Sequence, residues 1–566
     1  MKLNKVKVTL LIILLLASFL RLYKLDANPP SLFGDELDVG YQAYSILKTG
    51  KDYYGNFMPV HFRSLADIRT PLYLYSSVPT VAIFGITPWG VRLPAAVFGI
   101  LGVFLIYLLV KLISGNEKLA LFSAFLLCIS PWDIQYSRAA YEVTELLAAY
   151  LLGIYFFIRG LKEYKYLTLA ALFLALTPWI YNTAKLYLPM TMVAIFIIWF
   201  KELKEIPKKY LYTSLAVFLI VAVPFAISTV FGGGVERFNY LSITSDPTIQ
   251  GTIGFDRQRD LQAGSPFGKL FHNKETLVSG KFLDNYFSAF STEFLFIKGD
   301  PNIRQSLERM GEFYKFEALL LVLGAVFLWR VPMDRKVRSF FMFWIFTGAV
   351  PSALTIDGGD HATRLILLLI PLTIVMAIGG IKVFEFSRRY YPRFFIPLFW
   401  VIIGISFLFY QHDYWVHYPV ESQKLWDSGY KDAIQSAVSL KGQYGKIIIS
   451  DADEPSLIYF LGWSQFPPEI FQKNPLLAKT TIPGIGAVLE LDNYYFTPQG
   501  STNDLYTLGS ILPSHTLYVA PFSEIKFDLV KDPARIPADI KLIKTIFYPS
   551  GDPAFYLLAK NDNPQK

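Results

Sequence analysis

The stretch that decides the fold is PLYLYSSVPTVAIFGITPW, Pro71 to Trp89. It is apolar and nearly long enough to cross a bilayer, and every later loop changes side according to whether it is counted as a span. The flanking charges settle its reading. Left out of the count, it gathers twenty Lys and Arg into the loops of one membrane side, from Lys2, Lys5 and Lys7 through Arg388, Arg389 and Arg393. Only Arg138, Lys185 and Arg364 then fall in the short loops opposite. Counted as a span, it would move seventeen of the twenty to the outer side, against the bias of basic residues toward the cytoplasm. The segment is therefore read as a helix in, or dipping into, the outer interface, broken by Pro79 and Gly85.

Around it lie eleven apolar runs of spanning or near-spanning length: 8–23, 92–111, 117–131, 143–159, 165–180, 184–200, 210–230, 314–331, 337–354, 362–382 and 394–411. The first has the basic start of a signal peptide, but Arg21 to Pro30 offers no small-x-small cleavage site. It is read as an uncleaved anchor with the N-terminus in the cytoplasm. Composition agrees with a membrane class: the 566 residues are 53% hydrophobic and 17% charged, where a soluble chain carries about 25% charge. Tyr and Trp recur at the ends of apolar runs, as interfacial anchors do. The net charge of +8 lies mostly in short loops, so it reads as a topology signal and not as a nucleic-acid patch. Cys128, the single cysteine, sits in an apolar run, which excludes an intramolecular disulfide.

Three sizeable parts are then extracytoplasmic: about 24–91, about 231–313, and everything after about 412. The last changes character. Helix-like KLWDSGYKDAIQSAV and Glu454 to Trp463 alternate with strand-like GKIIISD, HTLYVAP, IKLIKTIFY and AFYLLA, which predicts a small α/β domain over 412–566.

Three clusters offer chemistry. In FGDELD, Phe33 to Asp38, the adjacent carboxylates Asp35 and Glu36 precede a helix-like stretch; they either cap it or provide a general base near the interface. In SPWDIQYSRAAYEVTE, Arg138 and Glu142 are spaced for an ion pair on a helix, and Arg138 is otherwise a phosphate ligand. In IDGGDHATRLILLLIP, His361 and Arg364 follow Asp357 and Asp360 at the mouth of a span, as a loop histidine beside a snorkelling arginine or as an anion site. Arg69, Arg92 and Lys185 are weaker examples of the same kind, and Lys298, Asp300 and Arg304 belong to a solvated loop or a groove. All three clusters fall on the outer face. Such a set suits an anionic lipid headgroup, with Arg or His neutralising a phosphate and Asp activating a hydroxyl.

The order of GDE (Gly34 to Glu36), PLYLY (Pro71 to Tyr75), WGVRLPAAVFG (Trp89 to Gly99), SRAAYE (Ser137 to Glu142) and HATR (His361 to Arg364) resembles the GT-C membrane glycosyltransferases. Within them it is most similar to the protein O-mannosyltransferase and lipid A aminoarabinose transferase branch, glycosyltransferase family 39 and its kin, over about residues 1–411. The resemblance implies a GT-C-like transmembrane catalytic domain in the plasma membrane. It also implies transfer, with inversion, of a sugar from a polyprenyl-phosphate carrier to a hydroxyl acceptor on protein, lipid or glycan.

Asp35, matching the family's catalytic aspartate, would take the acceptor proton, with Glu36 beside it. Arg69, Arg138, His361 and Arg364 would bind the donor phosphate, and Glu142 and Asp360 the acceptor or sugar. A monophosphate donor asks for less positive charge than a sugar nucleotide, so no metal ligand and no obligatory divalent metal are expected. One departure is Arg69-Thr70-Pro71 where aminoarabinose transferases carry Lys-Pro-Pro. The competing reading, a transporter or flippase of lipid-linked sugars, expects ionisable residues at mid-span, whereas these spans keep their charges at the ends.

Overall fold

The computed structural model describes residues 5–65, 68–232, 234 and 240–561. In chain order, α1 (Lys5–Leu22) and α2 (Gly34–Thr49) are followed by the paired strands β1 (Phe62–Arg63) and β2 (Ile68–Arg69). The helices α3 (Leu72–Phe84), α4 (Pro88–Ser114), α5 (Glu117–Ile129), α6 (Pro131–Ser137), α7 (Val143–Gly160), α8 (Leu167–Ile180), α9 (Thr183–Ile198) and α10 (Lys208–Phe231) come next. The second long loop holds α11 (Thr248–Gln262) and α12 (Lys274–Ser288); α13 (Glu317–Phe327), α14 (Arg335–Thr347), α15 (Leu369–Tyr390) and α16 (Pro392–His412) complete the bundle.

Every one of the eleven apolar runs is thus helical in its main part. By length and composition alone, five helical segments among the described residues suffice to cross a bilayer: α4, α7, α10, 366–390 and 392–421. The α5–α6 pair, bent by 59°, makes a sixth. The count falls below the eleven spans read from the sequence because α8, α9, α13 and α14 have only 14, 16, 11 and 13 residues. In addition, α1 carries Lys5, Lys7 and Arg21 within its 18 residues.

The helix in segment 71–89, α3, falls short of a span by length and composition, as α8 and α9 do. It has 13 residues, about 20 Å at ~1.5 Å per residue against the ~30 Å of a hydrocarbon core. Pro79 lies inside α3 without breaking it, contrary to the sequence reading; the break comes at Gly85, whose φ of +69° suits glycine. The chain then folds back along α4. Tyr73 Oη donates to the Val91 carbonyl at 2.9 Å, and a Cβ on Gly90 would overlap the Gly85 carbonyl oxygen.

Bundle packing relies on small residues where helices touch. A Cβ on Gly324 of α13 would overlap the Val375 carbonyl of α15, and one on Gly379 of α15 would overlap the Leu320 carbonyl of α13. Backbone cannot rotate away as a side chain can. Gly324→Ala is expected to destabilise the fold by about 1–3 kcal/mol, read as a lower thermal unfolding temperature in detergent; an unchanged temperature would show that the two helices have slack.

After the bundle comes an α/β domain with α17 (Tyr430–Ser439), α18 (Ser456–Trp463) and strands β3 (Lys446–Ile449), β4 (Ala478–Ile482), β5 (Gly486–Leu491), β6 (Tyr494–Phe496), β7 (Thr516–Pro521), β8 (Ile540–Phe547) and β9 (Pro553–Lys560). The sheet order is β4-β5-β6-β3-β7-β9-β8, with β3 parallel to both neighbours and antiparallel pairs at the flanks. Each stretch read as strand is one, and the two helix-like stretches are helical from Tyr430 and from Ser456, while the β4–β5 hairpin and β6 went unread.

This domain shares a core with α2. Leu37, Val39, Tyr41 and Ala43 bury against Tyr459, Phe460, Leu461 and Phe471 in one cluster. Gln472 Nε2 donates to Ser45 Oγ at 3.0 Å, Thr49 Oγ1 at 2.9 Å and the Asp52 carbonyl at 2.9 Å. Nearby, Asp427 accepts the Tyr459 hydroxyl, and burial pushes its carboxyl up to about 7, opposed by that hydrogen bond. The unfolded value is about 3.9. Between the two the native state binds the proton more tightly, so this group's contribution to stability declines as pH rises from about 4 to about 7. Asp427→Asn, uncharged throughout and tolerant of the local φ of +51°, is expected to gain on wild type in thermal stability between pH 5 and 8. Parallel stability curves would contradict it.

Candidate active site

Because α2 starts at Gly34, Asp35 and Glu36 sit in its first turn and do not cap it; the N-cap position is Phe33, which makes no side-chain cap bond. Their carboxylates still favour the positive end of the helix. Consecutive helical residues point about 100° apart, and the two carboxylates part company. The Asp35 side chain is 61% exposed. Glu36 is fully buried, bridged to Arg92 Nε at 2.8 Å and Nη2 at 2.7 Å, and it also accepts the Ala140 N–H at 2.8 Å. Arg92 in turn donates to the carbonyls of Leu25, Pro29 and Ser31. This corrects the expectation of Glu36 as a catalytic carboxylate: it is sealed from any substrate and ties α2 to α4.

Arg69, at the end of β2, gathers the exposed side. It pairs with Asp35, approaches Asp38 Oδ2 with Nε at 2.8 Å and lies 3.8 Å from Glu142 Oε1. Asp38 also accepts the Tyr53 hydroxyl at 2.7 Å, and burial raises its carboxyl above the ordinary range, with Arg69 opposing. The phosphate role expected of Arg69 is thereby corrected. Its guanidinium is committed to three carboxylates and sets the position of Asp35. Glu142 joins this group instead of pairing with Arg138, because SRAAYE is the turn between α6 and α7 and not a helix. Asp38 was missed; its place one helical turn after Asp35 was the available signal.

The bond from Thr70 Oγ1 to the Ile180 carbonyl, 2.7 Å, sets this group beside Tyr181. Tyr181 lines a cavity of about 270 Å³ together with Asn182, Thr183, Leu186, Leu241, Pro351 and the cations Lys185 and Arg364. Arg364 donates to Thr355 Oγ1 at 2.7 Å and pairs with Asp357, whose carboxyl is raised by burial but brought below its ordinary value by Arg364. Lys185 donates to the Gly234 carbonyl at 3.1 Å and lies over the Phe225 ring. His61 stacks on the same ring at 4.7 Å and bonds Ser228 Oγ through Nδ1 at 2.8 Å. Burial, aided by Lys185, lowers its pKa to about 4, so it is neutral near pH 7.

Two expected phosphate ligands stand elsewhere. Arg138 is fully buried, donating to the carbonyls of Leu20, Lys24 and Asn28 and to Tyr414 Oη, with Trp415 against its face. Four of its five N–H donors are spent clasping the chain after α1, and burial keeps it from the cavity. His361 faces Asp300, 3.9 Å from its Oδ2, and is not among the cavity-lining residues. Asp300 is buried, accepts the Ala362 N–H at 2.7 Å and is pushed up by burial to about 7. Asp360 is half-buried, which raises its carboxyl, and it too is outside the cavity lining. Lys298 pairs with Glu293 at the surface, and Arg304 lies over the Phe33 ring.

Residues 69–227, which include Arg69, Glu142 and Lys185, match the dolichyl-phosphate-mannose-protein mannosyltransferase family. No curated protein sequence matches the chain. In three dimensions it is similar to the crystal structure of ArnT from Cupriavidus metallidurans bound to undecaprenyl phosphate, with TM-score 0.52 and 12% identity over 97% of each chain. It is also similar to the Archaeoglobus fulgidus oligosaccharyltransferase tethered to an acceptor peptide, with TM-score 0.50 and 12% identity over 100% of this chain and 74% of that one. At such identities the likeness is one of fold. With the family segment, the ordered motifs and the fold agreeing, the chain resembles the GT-C membrane glycosyltransferases of the protein O-mannosyltransferase and aminoarabinose transferase branch.

Proposed function

We propose that the chain is an inverting glycosyltransferase that moves a sugar from a polyprenyl-phosphate carrier to a hydroxyl acceptor on the extracytoplasmic face of the plasma membrane. The observations that carry this reading are an exposed carboxylate, Asp35, held by Arg69, and, next to Ile180 to which Thr70 is bonded, a largely apolar cavity whose cations are Lys185 and Arg364. The apolar wall suits the first isoprene units and the cations suit one phosphate. Asp35 takes the proton of the acceptor hydroxyl as that oxygen attacks the anomeric carbon from the face opposite the phosphate. The bond from the anomeric carbon to the phosphate oxygen breaks with its electron pair, and polyprenyl phosphate departs under the charge of Lys185 and Arg364. Arg69 keeps Asp35 aimed. The chain itself supplies cations to the cavity, Lys185 and Arg364, so turnover is expected to survive a chelator.

The test is a panel of polyprenyl-phosphate sugars offered to purified protein with and without EDTA, following release of free polyprenyl phosphate. Release from one or more carriers supports the assignment. No release from any of them overturns it.

A further inference from the structure

The last bundle helix does not stop at His412. The helical path runs on to Glu421, and between Asp413 and His417 it widens into a π turn, in which Tyr418 N–H reaches the Asp413 carbonyl five residues back. In an α-helix residues five apart point about 140° away from each other; the i→i+5 ladder stacks them instead. The rings of His412 and His417 accordingly stand 5.1 Å apart, nearly perpendicular. Asp413 adds a carboxylate, and ligand atoms of all three side chains lie within 4.8 Å of one another. Both histidines are exposed.

The opposite face of the turn is fixed. Tyr414 is buried, its carbonyl accepts Asn28 Nδ2 at 2.6 Å, and its hydroxyl accepts Arg138 Nε at 3.0 Å. Tyr418, stacked on Tyr414, takes donations from Trp426 Nε1 at 2.8 Å and Gln135 Nε2 at 2.6 Å. The turn is the joint through which the bundle passes into the α/β domain. Widened helix is uncommon and recurs at functional sites.

We infer that His412, Asp413 and His417 form a binding site for a borderline divalent metal of the zinc class, which locks this joint and takes no part in sugar transfer. Two imidazoles and a carboxylate are a three-ligand zinc set with an open fourth position. Tetrahedral bonds of about 2.0–2.2 Å require donors about 3.3–3.6 Å apart, a closure that exposed imidazoles reach by side-chain rotation.

The test uses the full chain in detergent, titrated with Zn²⁺ by calorimetry and with Co²⁺ by its visible absorption. Wild type is expected to take up one equivalent with micromolar or tighter affinity, to show the intense bands of four-coordinate cobalt, and to unfold at a higher temperature with zinc. His412→Gln and His417→Gln are each expected to weaken binding at least tenfold while releasing polyprenyl phosphate as wild type does without metal; His272→Gln, at a part-buried histidine that pairs with Asp256 and Asp260, is expected to bind normally. In wild type alone, zinc is expected to protect His412 and His417 from diethyl pyrocarbonate, mapped by mass spectrometry. Absence of a stoichiometric site in wild type, unaltered binding in both Gln variants, or equal loss in His272→Gln overturns the inference.

Discussion

Asp35→Asn is expected to lower the rate of sugar transfer by about 10² to 10⁴, the contribution of a positioned general base, while leaving donor binding and the folded state near those of wild type. The replacement keeps the side chain's size at an exposed position, and Arg69 retains Asp38 and Glu142 as partners. The deficit should therefore appear in kcat with little change in the donor KM, because Asp35 acts on the acceptor oxygen and the cavity cations hold the carrier. Single-turnover release of polyprenyl phosphate measures it directly. Transfer at the wild-type rate would remove the general-base role from Asp35, and a rise in donor KM alone would reassign it to binding.

The largest loss of stability is expected at the carboxylate next door. Glu36→Gln leaves the Arg92 guanidinium fully buried with only carbonyl acceptors, and stranding one member of a buried ion pair costs about 3–5 kcal/mol. Thermal unfolding in detergent and the yield of monodisperse protein report this. Combining Glu36→Gln with Arg92→Met removes the stranded charge, so the double variant should recover part of the loss. The same pair of variants separates two meanings of the GDE motif. A folded Glu36→Gln sample should turn over normally, whereas a general base at this position would have lost its rate with its charge.

Much of this arrangement was legible in the sequence because it rests on long-range statistics or on local period. The twenty basic residues that kept Pro71–Trp89 out of the span count needed no coordinates, and the 13-residue α3 agrees with them. The α/β character of the last part followed from alternating periods, except at β4–β5, whose strands are half exposed and only weakly apolar. Side-chain direction was the illegible part. Sequence treats Asp35 and Glu36 as one feature; a helix starting at Gly34 rather than after them sends one outward and the other into the core. Arg138 and Arg364 looked alike as outer-loop arginines. The carbonyls that consume Arg138 belong to Leu20, Lys24 and Asn28, more than a hundred residues away, and no short motif announces such a partner. Lys185, placed among the weaker examples, lines the cavity and donates to the Gly234 carbonyl.

The two-sided burial of α2 has a consequence for biogenesis. One face of the helix is completed by α3 and α4, made soon after it, but the other is covered by residues 457–472, and the bonds from Gln472 reach back across more than 400 positions. During synthesis the aspartate-bearing helix keeps half of its apolar side uncovered until that distant segment has been made. Chain ends that stop short of residue 457 would therefore hold a complete bundle and an idle site, and quality control would meet them as an exposed, unsatisfied helix.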